Sequence, residues 1–189
     1  MAGPVPPAGL LLLLWGFSEL ALNLFKRSKS NAISQDRHSL KLIWLVNTIA
    51  ITLGIMAAYR LPAGRIHLHE IGLVIGRCLF VPGLVLRWWA IIYLGRFFTT
   101  NVAIAADHRL IDTGPYRFIR HPSYAGSLLA LLGFTLCVPN WATWLLIFVP
   151  CGAVMLWRIH VEEAALLEGL GEPYRRYRQR TKRLIPWIY

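Results

Sequence analysis

The sequence predicts an all-α integral membrane protein with about five transmembrane helices. Three observations support this fold class. Of the 189 residues, 56% are hydrophobic and only 15% are charged, whereas a soluble domain usually carries about a quarter charged residues. The apolar residues form long runs that short basic segments separate. The lysines and arginines are concentrated in alternate segments, as they are in membrane proteins.

Five apolar runs qualify as membrane spans. They cover residues 7–25, 40–59, 71–94, 124–138 and 141–157. Crossing the hydrocarbon takes about 20 residues, with a lower limit near 17, so the last two runs are short. We interpret these two as a tight helical hairpin, with the turn at Cys137-Val-Pro-Asn140. No basic segment precedes the first run, so we expect a retained span instead of a cleaved signal peptide.

The basic residues predict the orientation. Sixteen of the 20 lysines and arginines fall with the segments that follow the first, third and fifth runs, whereas the alternate segments hold only Arg60 and Arg65. These three segments, and with them the C-terminus, are therefore expected to face the cytoplasm. We expect a multi-pass protein of the cell (inner) membrane. The net charge of +11 then reflects topology and contact with anionic membrane lipids, not nucleic-acid binding.

The chain divides into two predicted parts. Residues 1–70 hold two hydrophobic spans and a basic connector without an informative motif, whereas residues 71–189 hold polar groups that a membrane anchor does not need. Cys78, Cys137 and Cys151 have neither paired nor metal-type spacing. We therefore expect no disulfide framework and no metal site.

Two arginines, Arg77 and Arg87, interrupt the third apolar run. A charged side chain near the bilayer centre costs about 2.5–3.5 kcal/mol on insertion scales, so it usually faces protein or a watery cavity. Either arginine could instead extend its charged end to the membrane surface. Both interpretations stay open from the sequence, with Arg87 the stronger candidate for a site.

A second polar group is the segment LIDTGPYRFIRHPSYAG, residues 110–126. Gly114-Pro115 predicts a turn, and Pro122 favours the start of a helix. An interfacial belt of tyrosine and arginine would explain Tyr116 and Arg117. It does not explain the run RHPSY, residues 120–124. This run places hydrogen-bond donors, an acceptor and an aromatic ring together at the start of one helix.

A third polar group is Glu162-Glu163, just beyond the last apolar run. Two adjacent carboxylates at the membrane surface are not explained by the positive-inside rule. If the helix continues through them, the two side chains lie on neighbouring faces. They could serve a site, or they could form ordinary salt bridges with Arg158 or the basic tail. The spacing does not decide between these alternatives.

Together these residues resemble a known family. The pattern GPYRFIRHPSYAG, a short helical hairpin and then EEAALLEGLGEPYRRYRQRTKRLIP resembles the isoprenylcysteine carboxyl methyltransferase family, in its short, prokaryotic-type form. It is similar, more distantly, to membrane phospholipid N-methyltransferases. The resemblance covers about the last hundred residues and extends weakly into RWWAIIYLGRFFTTNVAI.

The resemblance implies a cytoplasmic C-terminal region that binds S-adenosylmethionine. It assigns the cofactor contacts to His121, Tyr124, Gly126, Glu162 and Glu163, and we add Tyr116, Pro122 and Tyr174 as cofactor-binding candidates. Glu163 would hold the ammonium group or the ribose hydroxyls. The ring of Tyr124 suits the adenine, or the sulfonium by cation–π attraction.

The methyl acceptor is expected to be a lipophilic small molecule or lipid that enters from the bilayer. A carboxylate acceptor needs no general base, because no proton is removed. Arginine matches carboxylate geometry, so we nominate Arg87 and Arg120 to hold the acceptor, with Glu163 as a third catalytic candidate. An amine acceptor would need a base, which His121 or one glutamate would have to supply.

The main alternative is an NADPH-dependent membrane reductase of the sterol reductase type. The tail is rich in basic residues that could receive phosphates, namely Arg175, Arg176, Arg178, Arg180, Lys182 and Arg183. Such reductases resemble this chain in the C-terminal pattern, but they carry x-Asn where this chain has Pro122-Ser123. The paired glutamates also fit the methyltransferase pattern better, and we prefer that interpretation.

Overall fold

The computed structural model describes residues 6–25, 37–66, 69–98 and 109–189. In this part of the chain the α-helices are α1 (Pro6–Phe25), α2 (Arg37–Arg60), α3 (His69–Leu94), α4 (Pro122–Leu136), α5 (Trp141–Leu170) and α6 (Glu172–Arg180). Four of the five predicted apolar runs lie within one of the first five helices, and the fourth, 124–138, extends two residues past the end of α4. The connector at 26–36 and the loop at 99–108 lie outside the described residues.

The helices have the character of an integral membrane bundle. By length and composition, α2, α3 and α5 are long and apolar enough to cross a membrane, while α1 and α4 contain shorter apolar segments. Large apolar side chains face outward, such as Leu13 and Phe17 of α1, with 73% and 75% of their surface exposed. Such surfaces suit lipid and not water. The predicted fold class is confirmed, and the count of five spans stays a prediction.

Helices α3 and α4 pack with their backbones in contact. A Cβ atom added to Gly126 would lie 2.5 Å from the carbonyl oxygen of Gly83, and one added to Gly133 would lie 2.5 Å from that of Gly76. Small residues allow this close approach between membrane helices. The pairing is antiparallel, so the start of α4 lies against the C-terminal half of α3.

Helices α2 and α5 form a second antiparallel pair, joined by polar contacts. Thr143 donates to the carbonyl oxygen of Gly54 (2.8 Å), and the amide of Asn140 donates to that of Leu61 (3.0 Å). Asn140 also caps α5, because its side-chain oxygen accepts from the backbone N–H of Ala142 (3.0 Å). These contacts confirm the predicted turn between α4 and α5 and fix its position.

Helix α1 contacts α3 through side chains. The ring centroids of Trp15 and Phe80 are 6.0 Å apart, and the indole N–H of Trp88 donates to Ser18 (2.8 Å). Helices from both predicted parts therefore share one bundle. The division at residue 70 is not a break in packing, and its functional meaning stays a prediction.

The C-terminal region folds back onto the start of α4. Helix α5 continues past the apolar run, as the sequence left open, and stops at Gly171, whose positive φ of 59° favours glycine. After α6, the tail pairs with the segment before α4. The backbone N–H of Arg120 donates to Lys182 (2.8 Å), and that of His121 donates to Arg183 (3.0 Å).

Candidate functional site

Two buried tyrosines hold the segment before α4 in place. The hydroxyl of Tyr116 donates to the carbonyl oxygen of Ala90 on α3 (3.2 Å), and Tyr177 of α6 donates to that of Tyr116 (2.6 Å). Burial raises the pKa of both phenols, so both remain protonated donors near neutral pH. The segment is thereby clamped between α3 and α6.

A buried ion cluster surrounds Glu163, whose surface is only 3% exposed. One carboxylate oxygen accepts from Nε of Arg120 (2.8 Å) and lies 3.4 Å from Nε2 of His121. The other accepts from Arg183 (3.0 Å), and a terminal nitrogen of Arg178 lies 4.0 Å away. Glu163 raises the pKa of Arg183 through this hydrogen bond. One carboxylate therefore joins α5, the start of α4 and the tail.

Arg120 makes further hydrogen bonds in this cluster. Besides Glu163, it donates to the backbone carbonyl of Arg178 (3.2 Å) and to that of Thr181. The salt-bridge interpretation that the sequence left open therefore describes Glu163 in this conformation. Its contact with a cofactor stays a prediction.

The neighbouring Glu162 faces a different partner. The hydroxyl of Tyr124, in the first turn of α4, donates to one oxygen of Glu162 (2.9 Å), and the guanidinium of Arg158 lies beside the same hydroxyl. The ring of His121 meets that of Tyr124 edge-on, with centroids 5.8 Å apart. The structure thus brings three predicted cofactor residues together: His121, Tyr124 and Glu162.

Three further cofactor candidates are buried near this group. The Tyr174 hydroxyl has no hydrogen-bond partner among the described residues, and burial, reinforced by the charge of Glu163, raises its pKa. Pro122 is fully buried at the start of α4. Gly126 faces α3, where an added Cβ would lie 2.6 Å from the backbone nitrogen of Arg87. Packing accounts for Pro122 and Gly126, and their cofactor role stays a prediction.

A cavity of about 350 Å³ lies beside the first turn of α4. Its polar lining residues, which we call its polar wall, come from all four helices α1 to α4 and include Arg87, Ser123, Tyr124 and Ser127 of α3 and α4. Its apolar wall comes mainly from α1 and α2, with Leu12, Trp15, Ile43, Trp44 and Ile51 among the lining residues. The cavity therefore has the amphipathic lining that a lipophilic molecule with a polar head requires.

Arg87 lies on the polar wall of this cavity. One terminal nitrogen donates to Ser127 (2.5 Å) and lies 3.4 Å from Ser123, while the other pairs with both carboxylate oxygens of Glu19 (2.8 and 2.9 Å). Arg77, which lies ten residues earlier on the same helix, is exposed. Of the two arginines nominated to hold an acceptor, Arg87 lines the cavity, whereas Arg120 does not.

Sequence reasoning missed the contribution of α1 and α2. Glu19 and Asn47 both line the cavity, although residues 1–70 hold no recognisable motif. A signal for Glu19 was present, because it is the only carboxylate in the first apolar run. A charge inside a membrane span marks a functional or paired position by default, and Arg87 in another span was its obvious counterion.

The basic tail is largely committed to internal ion pairs. Arg175 and Arg176 pair with Glu172, and Arg180 pairs with Asp112. With Arg178 and Arg183 at Glu163, five of the six basic side chains considered for phosphate binding already face a carboxylate. This arrangement does not favour the reductase alternative.

Known proteins resemble the chain in both sequence and fold. Residues 74–168 match the sequence profile of the isoprenylcysteine carboxyl methyltransferase (ICMT) family. The chain is 34% identical over 108 residues to a protein-S-isoprenylcysteine O-methyltransferase of Schizosaccharomyces pombe, covering 56% of this chain and 46% of that protein. It is 34% identical over 122 residues to protein-S-isoprenylcysteine O-methyltransferase B of Arabidopsis thaliana, covering 60% and 58%.

A solved structure extends the comparison to the first two helices. The structure of the eukaryotic intramembrane Ras methyltransferase ICMT matches with a TM-score of 0.66 and 29% identity, covering 94% of this chain and 64% of that one. In the sequence comparisons, the chain spans about half the length of the two curated relatives named above.

Proposed function

The chain belongs to the isoprenylcysteine carboxyl methyltransferase family, and we propose that it transfers a methyl group from S-adenosylmethionine to a lipophilic acceptor in the membrane. The acceptor group is a carboxylate, as in an isoprenylcysteine-like compound. One observation carries this proposal. Ser123 and Tyr124 belong to the cofactor motif and also line the amphipathic cavity, so a cofactor and an acceptor could meet at the first turn of α4.

The residues around Tyr124 fit the chemistry of the cofactor. S-adenosylmethionine has a cationic amino group and ribose hydroxyls that suit a carboxylate, and Glu162 is the half-buried carboxylate beside Tyr124. The hydroxyl of Tyr174, which has no partner in the described ranges, and the ring of His121 would complete this surface. Glu163 acts as a positioning residue, since its ion pairs hold Arg120 and the tail in place.

The bound cofactor supplies an electrophilic methyl group, and the protein must align the acceptor with it. Arg87 orients the acceptor carboxylate from the polar wall of the cavity. The apolar wall holds the lipophilic part and keeps water from the anionic oxygen, which preserves its reactivity. No side chain has to remove a proton, because a carboxylate is already a nucleophile. This explains why the cavity needs no dedicated general base.

The membrane setting follows from the same arrangement. The cavity lies in the half of the bundle that holds the start of α4 and the end of α3, and the basic segments predict that this half faces the cytoplasm. In this proposal the protein is a multi-pass component of the cell membrane. Its C-terminal region takes the water-soluble cofactor from the cytoplasm, and its acceptor arrives from the bilayer.

The test is calorimetric binding of S-adenosylhomocysteine and of NADPH to detergent-purified protein, followed by transfer of labelled methyl groups to lipid extracts. We expect S-adenosylhomocysteine to bind and NADPH not to bind. Glu162→Gln should weaken S-adenosylhomocysteine binding, whereas Glu168→Gln, at an exposed position of the same helix, should not. Binding of NADPH alone would overturn the proposal in favour of a reductase.

A further inference from the structure

The tail exposes a cluster of large apolar side chains after its last contact with α4. Ile185, Trp187 and Ile188 have 50%, 87% and 74% of their surface exposed, whereas Leu184, immediately before them, is buried. We call these three exposed residues the apolar tip. Single exposed apolar residues are normal, but a cluster of them marks an interaction surface.

The apolar tip belongs to a loop that is closed by its own hydrogen bonds. The backbone oxygen of Tyr189 accepts from the N–H groups of Leu184 (2.7 Å) and Ile185 (2.8 Å). The Tyr189 hydroxyl accepts from Arg183 (3.1 Å), whose guanidinium lies 5.6 Å from the centroid of the tyrosine ring. Trp187 has a φ of 63°, a left-handed conformation that is uncommon for a bulky residue. The loop therefore tolerates local strain and leaves the indole ring exposed.

The backbone keeps the apolar tip close to the start of α4. The N–H groups of Arg120 and His121 donate to the carbonyl oxygens of Lys182 and Arg183. A chain extends at most about 3.6 Å per residue, so Trp187 lies within about 14 Å of Arg183. Helix α4 has 15 residues and is therefore about 22 Å long, shorter than a hydrocarbon layer of about 30 Å. In the predicted topology the start of α4, and with it the tip, lies near the membrane surface.

The surroundings of the tip favour a lipid surface as its partner. Ile119 and Lys182 form an isolated parallel bridge, and the exposed residues at and just before this bridge are Arg117, Phe118 and Lys182. Basic side chains are attracted to anionic headgroups, whereas lysine is depleted in protein–protein interfaces. Tryptophan is enriched where the hydrocarbon meets the headgroups. An apolar surface that contains tryptophan and has basic neighbours is typical of segments that lie in this boundary.

We propose that the apolar tip inserts into the boundary between headgroups and acyl chains of the leaflet at which α4 begins. Trp187 and Ile188 enter this boundary and bring their loop onto the membrane. Arg183 joins the same loop to Glu163 (3.0 Å), so the lipid surface holds the tail against the candidate site. This contact does not depend on which reaction the protein catalyses.

The test places a fluorescent reporter at the tip of the whole chain in nanodiscs of phosphatidylcholine and phosphatidylglycerol. Cys78→Ala removes the exposed cysteine, and Cys137 and Cys151 are buried. Trp187→Cys in this background is labelled with a nitrobenzoxadiazole dye. Its fluorescence is quenched either by lipids that carry a spin label on the acyl chain or by iodide in the water. We expect strong quenching by the spin-labelled lipids and weak quenching by iodide.

The matched control carries the same dye at Glu168→Cys. Glu168 is exposed on α5, about 8 Å further along the helix than Glu163, on the side away from the apolar run. We expect the spin-labelled lipids to quench the dye at Trp187→Cys several-fold more than the dye at Glu168→Cys, and iodide to show the reverse order. Because the dye is identical, its own affinity for lipid does not produce this difference.

A second reporter at Ile188→Cys keeps Trp187 in place and carries the test if Trp187→Cys does not fold. Folding is checked by the thermal unfolding of each labelled protein against the Cys78→Ala parent. Adding Trp187→Ser to the Ile188→Cys reporter should lower its quenching by spin-labelled lipids, because the indole ring contributes to the insertion.

Two outcomes would overturn the proposal. If iodide quenches the tip reporters as strongly as the reporter at Glu168→Cys, the tip lies in water. If neither iodide nor the spin-labelled lipids quench the tip reporters, protein covers the tip, either a second copy of the chain or another part of the same one.

Discussion

Two arginine–carboxylate groups lie on either side of the first turn of α4, and they differ in how completely they are paired. Glu163 faces three arginines and a histidine, and only 4% of its side chain is exposed. Glu19 pairs with Arg87 at the cavity, where 23% of its side chain is exposed. The Nε–H of Arg87 has no hydrogen-bond partner within the described part of the chain. The same residue types thus build a closed joint between segments in one place and a partly exposed ion pair beside a cavity in the other.

This difference indicates where ligand chemistry belongs. In the Glu163 cluster both carboxylate oxygens already accept hydrogen bonds, and the cluster connects α5, the start of α4 and the tail. An incompletely paired group beside a cavity can gain a partner when a ligand binds. The comparison therefore predicts that changes at Glu163 act on folding, whereas changes at Arg87 act on turnover.

The largest effect is expected from Glu163→Gln. Removing the carboxylate leaves Arg120 buried without its counterion, which costs about 3–5 kcal/mol in comparable buried pairs. Thermal unfolding in detergent should show the loss, and limited proteolysis should show earlier release of the tail. The control Glu168→Gln, exposed on the same helix, should change stability by less than about 0.5 kcal/mol. A fully stable Glu163→Gln protein would contradict the closed-joint interpretation.

An intermediate effect is expected from Arg87→Ala. Loss of the guanidinium removes the group that we propose to orient the acceptor, so turnover of a carboxylate acceptor should fall roughly tenfold or more, equivalent to about 1.4 kcal/mol. The affinity for S-adenosylhomocysteine, measured by calorimetry, should stay unchanged. Arg77→Ala is the matched control, because Arg77 lies on the same helix and is exposed. Normal turnover by Arg87→Ala would mean that the Glu19–Arg87 pair serves only the packing of α1.

The smallest effect is expected from Arg180→Ala. Arg180 pairs with Asp112 at the protein surface, with 60% of the arginine side chain exposed. Exposed ion pairs contribute about 0–1 kcal/mol, and salt screens them. Denaturation at low and high salt should show a small difference that vanishes as salt increases. A loss as large as that of Glu163→Gln would show that burial does not separate these pairs.

The fold was largely predictable, because long apolar runs determine which segments enter a membrane. The start of α4 followed from Pro122, and the turn before α5 followed from the residues at 137–140. The basic tail was harder to interpret. Its arginines suggested contact with lipid headgroups, whereas its tyrosines, Tyr174 and Tyr177, are buried against the bundle.

The sequence pointed to the residues of the candidate site only where they are close in the chain. Tyr124 and the glutamates belong to short motifs, so the sequence brought them to attention. Glu19 and Arg87 are 68 positions apart, and no local spacing records a contact between different helices. The sequence gives even less reason to assign Asn47 to a site, since a single amide in an apolar helix is commonly a packing residue. Only the packing of α1 and α2 against the motif-bearing helices reveals these contributions.

The return of the tail to the start of α4 has a consequence for biosynthesis. Arg120 and His121 leave the ribosome long before Lys182 and Arg183, whose carbonyl groups accept their backbone N–H groups. The helices can therefore enter the membrane while the segment between α3 and α4 still lacks its partners. This segment can take its final conformation only after Lys182 and Arg183 have been synthesised, so insertion of the helices and closure of the segment before α4 are separate events.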